Sequence, residues 1–148
     1  MPEPIEIKID DREIQQLLKK LISKTENLRP LMKNIAGIML DSVEENFEKE
    51  GRPNRWTSLA KLTIKQRTKK GYWPGRILQV RGDLAASITS KSDENSAVVG
   101  TNKVYASIHQ FGGDAGRNKR VKITARPYLK LTEGDINQVL SVTKEYLI

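Results

Sequence analysis

The sequence predicts an α+β domain with helices near its N-terminus, a central antiparallel sheet and a C-terminal helix. Apolar residues recur at helical spacing through residues 11–50 and again through 134–148. Between these regions, short apolar stretches alternate with polar and glycine-containing turns, as in antiparallel hairpins. The 148 residues contain no internal repeat and suffice for one hydrophobic core, so we expect a single domain over 1–148.

The first elements are a strand and a helix. Isoleucines alternate with polar residues over residues 5–9, which predicts a half-buried strand. Asp10 or Asp11 can cap the helix that follows, because a short carboxylate accepts hydrogen bonds from the free N–H groups of a first turn. We expect this helix to end near Lys24. Its apolar residues are Ile14, Leu17, Leu18, Leu21 and Ile22.

A longer helix is predicted next, from Thr25 as its N-cap to about Glu50. Pro30 is tolerated in its first turn, and Gly51 ends it because glycine readily adopts the left-handed cap. One face carries the acids Asp41, Glu44, Glu45 and Glu48. The other carries an apolar stripe composed of Leu28, Leu31, Ile35, Ile38, Met39, Val43 and Phe47.

The region from 52 to 81 has 9 Lys/Arg residues and no acid. A short helix over about 59–70 is plausible, but its apolar face is thin. We therefore interpret 52–76 as a basic, partly ordered arm that contacts another subunit rather than the core. The candidate interface residues are Trp56, Leu59, Tyr72 and Trp73. The candidate basic contacts in the arm are Arg67, Lys69 and Lys70.

The second half of the chain predicts hairpins and a final helix. Gly82 and Asp83 form a turn that opens a short helix, and residues 86–91 and 97–101 flank a polar turn as a β-hairpin. We expect a mobile loop at 113–120, then strands over 121–123 and 128–131, and a helix from about 134 to 148. The mobile loop supplies three further basic contacts, Arg117, Lys119 and Arg120.

The residue types needed for catalysis are scarce. The chain has one histidine and no cysteine, which excludes thiolate metal sites and Cys/His dyads. It also lacks a phosphate-binding glycine loop and a serine nucleophile elbow. The acids of the long helix have no further ligand cluster to complete a metal site. We therefore expect a non-enzyme with no cofactor, no metal and no small-molecule substrate.

His109 lies in a short helical turn that ends at Gly112. Tyr105, Ile108 and Phe111 fall near one side of this turn, which predicts that they pack into the core. We expect the His109 imidazole to hydrogen-bond to protein atoms, because the sequence offers no partner that would make it a catalytic base.

The amino-acid composition indicates where the protein is located and which partners it can bind. No apolar run approaches the roughly 20 residues that cross a bilayer, and the N-terminus lacks a signal-peptide pattern, so we expect a cytoplasmic protein that does not bind membranes. The net charge of +8 is uneven, since residues 1–50 hold 8 basic residues against 11 acids. The basic regions indicate an acidic partner or nucleic acid, or simply a solvated surface. A basic nucleic-acid-binding protein without catalytic activity is the alternative function.

Four segments resemble a known family when taken in order. They are Trp56-Thr57-Ser58-Leu59, Ile77-Leu78 with Arg81-Gly82-Asp83-Leu84, Tyr105-Ala106-Ser107-Ile108-His109-Gln110-Phe111-Gly112-Gly113, and Ala125-Arg126-Pro127-Tyr128-Leu129. This series, over about 52–131, resembles the phage virion morphogenesis family, the tail-completion proteins of Mu-like tailed phages. The fold-defining positions that it implies are Tyr105, Ile108, His109, Phe111, Gly112, Arg126 and Pro127.

The resemblance implies a structural protein of a phage or prophage that acts in tail completion or head–tail joining. It implies a homo-oligomeric ring whose partners are further copies of itself and other phage neck or tail proteins. It places the protein in the host bacterial cytoplasm during assembly and then in the virion. It carries no catalytic residue. Nonspecific contact between the basic loops and phage DNA stays open.

Overall fold

The computed structural model describes residues 12–147, apart from the side chains of 13–15, 17, 21 and 25. The strand predicted over 5–9 lies outside the described residues. Within 12–147, no helix combines the length and apolarity needed to span a membrane. The helices are α1 (Arg12–Lys24), α2 (Arg29–Glu48), α3 (Lys61–Lys69), α4 (Asp83–Ala86), α5 (Ala106–Phe111) and α6 (Glu133–Leu147). The strands are β1 (Thr89–Ser92), β2 (Ala97–Gly100), β3 (Gly113–Ala115) and β4 (Val121–Ile123). The α+β class predicted from the sequence is confirmed.

The junction between α1 and α2 differs from the prediction. A 3-10 turn over Thr25–Asn27 separates the helices, and Leu28 is the N-cap of α2. Thr25 as N-cap is therefore wrong. Lys24 and Leu28 both keep right-handed helical backbone angles, so no extended residue lies there to turn a side-chain oxygen toward the free N–H groups. Pro30 lies in the first turn of α2, as expected.

The core forms on the apolar stripe of α2. Leu31, Ile38, Val43 and Phe47 are buried. The Phe47 ring packs edge-on against Trp56 at 5.8 Å and lies 5.2 Å from the ring of Tyr128. Burial of this aromatic cluster removes much apolar area from water and is a main stabilising contribution. The central cluster comprises Val43, Phe47, Trp56, Ile77, Leu84, Ile88, Ala106 and Tyr128.

The described strands form two separate hairpins rather than one central sheet. β1 pairs antiparallel with β2, as predicted, with Thr89 opposite Gly100, and this hairpin packs on α2. β3 pairs with β4, with Gly113 opposite Ile123. The loop expected at 113–120 therefore contains a strand and a 3-10 turn over Arg117–Lys119.

Residues 126–130, here called the strap, do not form the strand that was predicted over 128–131. Side chains bind its backbone instead. Asn46 Nδ2 donates to the carbonyl oxygens of Tyr128 and Lys130 at 2.7 and 2.9 Å. The Gln110 amide oxygen accepts from the backbone N–H groups of Tyr128 and Leu129 at 3.0 and 2.8 Å. Because these bonds satisfy the polar groups of the strap, it needs no β-partner.

The 52–76 region is more ordered than predicted. α3 occupies Lys61–Lys69, within the helix that the sequence allowed. Trp56, on the N-terminal side of α3, is only 7% exposed, and its indole N–H donates to the Pro127 carbonyl oxygen at 3.0 Å. Ile77, on the far side of α3, is also in the core. The two flanks thus anchor the region, while α3 itself contains no buried residue.

α6 packs along α2 and begins with a reciprocal cap. The Thr132 N–H donates to the Asp135 carboxylate at 2.9 Å, and the Asp135 N–H donates to the Thr132 hydroxyl at 3.2 Å. This arrangement satisfies two of the free N–H groups of the first turn. The Thr-x-x-Asp spacing is visible in the sequence, although the helix was predicted from its apolar residues alone.

Candidate interaction surfaces

α3 is a cationic helix that lies almost wholly on the surface. Lys61, Lys65 and Lys69 recur every four residues, so they share one face, and all three are exposed. Leu62, beside them, is 66% exposed. A helix with no buried residue draws little stability from the core, so its solvent face is available to a partner.

Of the four residues predicted for a subunit interface, two pack in or against the core and two remain near the surface. Trp56 belongs to the core, so its assignment to a subunit contact rather than to the core is wrong; the indole fills space between Phe47 and the strap, a packing that no local pattern reveals. Leu59 is half-buried and packs against the core. Tyr72 is exposed and Trp73 is half-buried, and both follow α3 directly. These two aromatics remain available to a partner.

The candidate basic contacts lie on two elements. Lys69 and Lys70 are exposed at the end of α3, whereas Arg67 is half-buried and donates from Nη1 to the Arg76 carbonyl oxygen at 2.9 Å. The second group is exposed in the β3–β4 hairpin, on the 3-10 turn and directly after it; it consists of Arg117, Lys119 and Arg120.

A cavity of about 270 Å³, here called the basic cavity, opens between α3, the turn before α4, and α5. Arg67, Arg81 and His109 contribute its basic groups. A neighbouring cavity of about 640 Å³ shares Arg67 and Arg81 and extends along α3 to Lys70 and Tyr72. The remaining lining of the basic cavity is Leu78, Val80, Gly82, Asp83, Leu84 and Tyr105. Arg81 was named from the sequence only within the Arg81-Gly82-Asp83-Leu84 segment and not as a basic contact.

The side chain of His109 does not have the hydrogen bonds that were predicted. Its Nδ1 is buried, and within the described chain this nitrogen has no hydrogen-bond partner. Burial, and then the nearby positive charge of Arg126, lower the pKa of His109 below its usual value. The Tyr105 ring meets the imidazole edge-on at 6.1 Å. Burial and the Arg126 charge therefore both favour the neutral form of the imidazole, which lies beside the basic cavity.

The predicted burial of Tyr105 and Phe111 is also wrong. Phe111 is 78% exposed, Tyr105 is exposed and Ile108 is half-buried. α5 begins only at Ala106, and it turns Ala106 and Gln110 toward the core and the strap. A six-residue helix has too narrow an inner face to bury all three positions.

Gly112 and Arg126 join α5 to the strap. Gly112 has a φ of 74°, and a Cβ there would lie 2.9 Å from both Ala125 N and the Ile123 carbonyl oxygen. Arg126 donates from Nε to the Thr57 carbonyl oxygen at 3.0 Å, and its backbone N–H donates to the His109 carbonyl oxygen at 2.8 Å. Pro127 accepts the indole bond of Trp56. These close contacts leave little room for substitution.

An apolar groove of about 460 Å³ lies between the end of β2 and α5, lined in part by Val104, Phe111 and Leu129. Val104 is 96% exposed at its rim. Neither Val104 nor this groove was predicted from the sequence. Within 12–147, no group of three or more His, Cys, Asp and Glu residues is arranged to hold a metal ion.

Comparisons with known proteins agree over nearly the whole chain. The model of the phage virion morphogenesis family matches residues 9–148. The chain is 45% identical over 143 residues to Mu-like prophage FluMu G protein 2 of Haemophilus influenzae, covering 96% of this chain and 95% of that protein. It is 32% identical over 143 residues to the putative capsid assembly protein G of Escherichia phage Mu, with 94% and 91% covered. No solved structure matches the chain.

Proposed function

Because the chain belongs to the phage virion morphogenesis family, we propose that it is a structural protein that completes the tail or joins it to the head. The observation that carries this proposal is the family match, which spans residues 9–148 and so includes every helix and hairpin described above. The protein would act in the host bacterial cytoplasm during assembly and then stay in the virion at the neck or tail. This role requires binding surfaces and no chemical step.

Self-association into a ring is the second part of the proposal. α3 exposes Lys61, Lys65 and Lys69 on one face, and Tyr72 and Trp73 follow it. Aromatic side chains among cations are common anchors of protein interfaces. Ordering a helix that buries none of its own residues costs conformational entropy, which docking on a neighbour offsets.

The acidic face of α2 is the surface that would contact the cationic face of α3 on a neighbouring subunit. Asp41, Glu44 and Glu48 are exposed, and their spacing places them on one side of the helix. The ion pairs within residues 12–147 use other acids, namely Glu45, Glu94 and Asp135. An interface between two different faces of identical subunits is head-to-tail, and it closes into a ring when the rotation between subunits permits.

A phage-assembly experiment tests the proposed role. In a lysogen whose gene for this protein is inactivated, we expect electron microscopy to show heads and tails that are not joined, or tails that are incomplete. Supplying the wild-type protein from a plasmid should restore whole particles. Whole infectious particles made without the protein would contradict the proposed role.

A solution experiment tests the ring and the rival function. Sedimentation of the purified protein, alone and with neck or tail proteins of the same phage, should show a closed oligomer. The rival, binding to nucleic acid, is favoured only by the exposed cations of α3 and of the β3–β4 turn. A protein that stays monomeric beside its phage neighbours and binds duplex DNA with a steep salt dependence would favour that rival.

A further inference from the structure

The basic cavity brings together Arg67 and Arg81, which form none of the described ion pairs, although Glu50 is close enough to act on Arg67 electrostatically. Arg67 and Arg81 line it with His109, and the described ion pairs of the chain use other cations, namely Arg29, Lys49 and Arg52. Arg126 lies near Arg67. Its pKa is lowered first by burial and then by repulsion from the Arg67 charge. Cations beside low-dielectric walls concentrate a positive potential, which attracts an anionic group.

The polar groups of this cavity are only partly satisfied by the protein. Arg67 uses Nη1 for the Arg76 carbonyl oxygen, and Arg126 uses its Nε and Nη2 for the carbonyl oxygens of Thr57 and Ser58. His109 Nδ1 is buried, and no described protein atom bonds to it. Asp83 is the one acid in the lining, and it forms none of the ion pairs found within 12–147. An anionic ligand would compensate the charges of Arg67 and Arg81, which form none of the described ion pairs.

The shape and lining of the cavity favour a carboxylate on an apolar stem. Its volume of about 270 Å³ suits one side chain, and Leu78, Val80 and Leu84 supply apolar walls beside the arginines. The flat Arg guanidinium matches a carboxylate with two parallel hydrogen bonds. A nucleic-acid backbone instead needs cations spread along an open surface.

We propose that the basic cavity, through Arg67 and Arg81 beside His109, receives a carboxylate from α2 of a second copy of this chain. The donor is one of Asp41, Glu44 and Glu48, which are exposed on one face of α2 and belong to none of the described ion pairs. The proposal rests on the self-association put forward under Proposed function. It names the contact that fixes the register between neighbouring subunits.

Charge reversal tests this contact. Arg81 is exposed at the rim, so Arg81→Glu should leave the fold intact while raising at least tenfold the protein concentration needed for half-assembly. The triple variant Asp41→Lys/Glu44→Lys/Glu48→Lys should have a similar defect. Combining both sets of substitutions should recover much of the assembly. Lys91→Glu, an exposed charge reversal of the same size on β1, is the matched control and should assemble as wild type.

The outcomes of this experiment separate the cavity from the wider proposal. If the wild type forms oligomers and Arg81→Glu assembles equally well, the cavity is not the contact, although self-association stands. If the combined variant assembles no better than either parent, α2 is not the donor. If the wild type is monomeric at every concentration and beside its phage neighbours, the ring and the cavity contact both fail.

His109 provides an independent readout, because the chain contains one histidine and hence gives one set of imidazole NMR signals. As protein concentration rises, a carboxylate arriving beside Arg81 should raise the pKa of His109 and shift its resonances. Arg81→Glu should abolish this concentration dependence. Resonances that respond to a duplex oligonucleotide and ignore protein concentration would assign the cavity to phosphate and overturn the proposal.

Discussion

Arg52 and Asp135 form a nearly buried ion pair, with Nη2 and Oδ2 2.9 Å apart, that ties the turn after α2 to the first turn of α6. The same guanidinium donates to the Asn46 amide oxygen and to the Ser42 carbonyl oxygen, each at 2.8 Å. The Ser42 hydroxyl donates to the Asp135 carboxylate at 2.5 Å. Since every member of this network has a partner, its polar groups are buried without a large penalty.

The pKa of Asp135 predicts acid sensitivity. Burial alone would raise this pKa, but hydrogen bonds from Ser42, the Thr132 N–H and Arg52 outweigh it and lower the value to about 2. Because the folded-state pKa lies below the unfolded one, the stabilisation is fully present above about pH 4 and is lost as pH falls toward 2. Denaturant unfolding at pH 5 and pH 2.5 should differ by about 2 kcal/mol or less from this group.

Removing the charge of Asp135 tests whether this carboxylate stabilises the fold. Among the described residues, Asp135→Asn leaves Arg52 with Glu45 as its one ionic partner, so we expect a loss of about 3 kcal/mol at pH 7 and a weaker dependence on acid. Glu94→Gln breaks the exposed pair with Arg29 and is the matched control; it should cost less than about 1 kcal/mol. Equal effects of the two substitutions would contradict the role given to the buried pair.

Asn46 should be among the polar residues most sensitive to truncation. Asn46→Ala would remove both bonds to the strap and the acceptor for Arg52, leaving buried polar groups without partners. We expect a loss of about 2–4 kcal/mol, since each unsatisfied buried group costs about 1–3 kcal/mol. Thermal and urea melts measure the change, with Asn95→Ala in the exposed β1–β2 turn as control. A loss below that of the control would show that other groups replace these bonds.

The two phenylalanines should respond in opposite ways to truncation. Phe47→Ala empties a site in the aromatic cluster and should destabilise the fold by about 3–5 kcal/mol. Phe111→Ala removes an exposed ring and should change stability by about 0.5 kcal/mol or less. The free energy of unfolding from denaturant titration distinguishes them. A large loss with Phe111→Ala would mean that its ring is buried in solution.

Trp56 and Trp73 should separate folding from assembly. Trp56→Ala should lower the free energy of unfolding by about 3–5 kcal/mol because the indole is in the core. Trp73→Ala should have a smaller effect on the melt but weaken self-association by about tenfold or more, as a truncated interface anchor does. Circular dichroism melts and sedimentation measure the two properties. A folded Trp73→Ala variant that associates as wild type would remove Trp73 from the interface.

The elements that the sequence predicted well are those with a local pattern. The apolar stripe of α2 and the turn of the β1–β2 hairpin arise from neighbouring residues, so their type and approximate bounds were accessible. The buried environment of Trp56 could not be predicted from neighbouring residues. Its indole bonds to Pro127, 71 positions away, and the basic composition around it resembles a surface segment. Burial at such positions depends on distant packing that periodicity does not encode.

Only some residues of the basic cavity could be predicted from the sequence. Arg67 and His109 were named from the sequence as candidates, whereas Arg81 was named only within the Arg81-Gly82-Asp83-Leu84 segment and not as a basic contact. The basic cavity exists because α3, the turn before α4, and α5 meet around Leu84, which is a tertiary event. Conversely, the predicted strand at 128–131 failed because Asn46 and Gln110 supply the hydrogen bonds that a second strand would have given.

The strap also affects when the fold can form during synthesis. Asn46 cannot form its hydrogen bond to Tyr128, which is 82 positions later in the chain, until that residue has been synthesised. The same holds for the bond from Trp56 to Pro127. As translation proceeds from the N-terminus, the aromatic cluster lacks its most buried member, Tyr128, until that residue has left the ribosome. Native folding is therefore postponed until most of the chain has emerged. The basic cavity, whose lining includes Tyr105 and His109, is likewise incomplete until those residues have been synthesised.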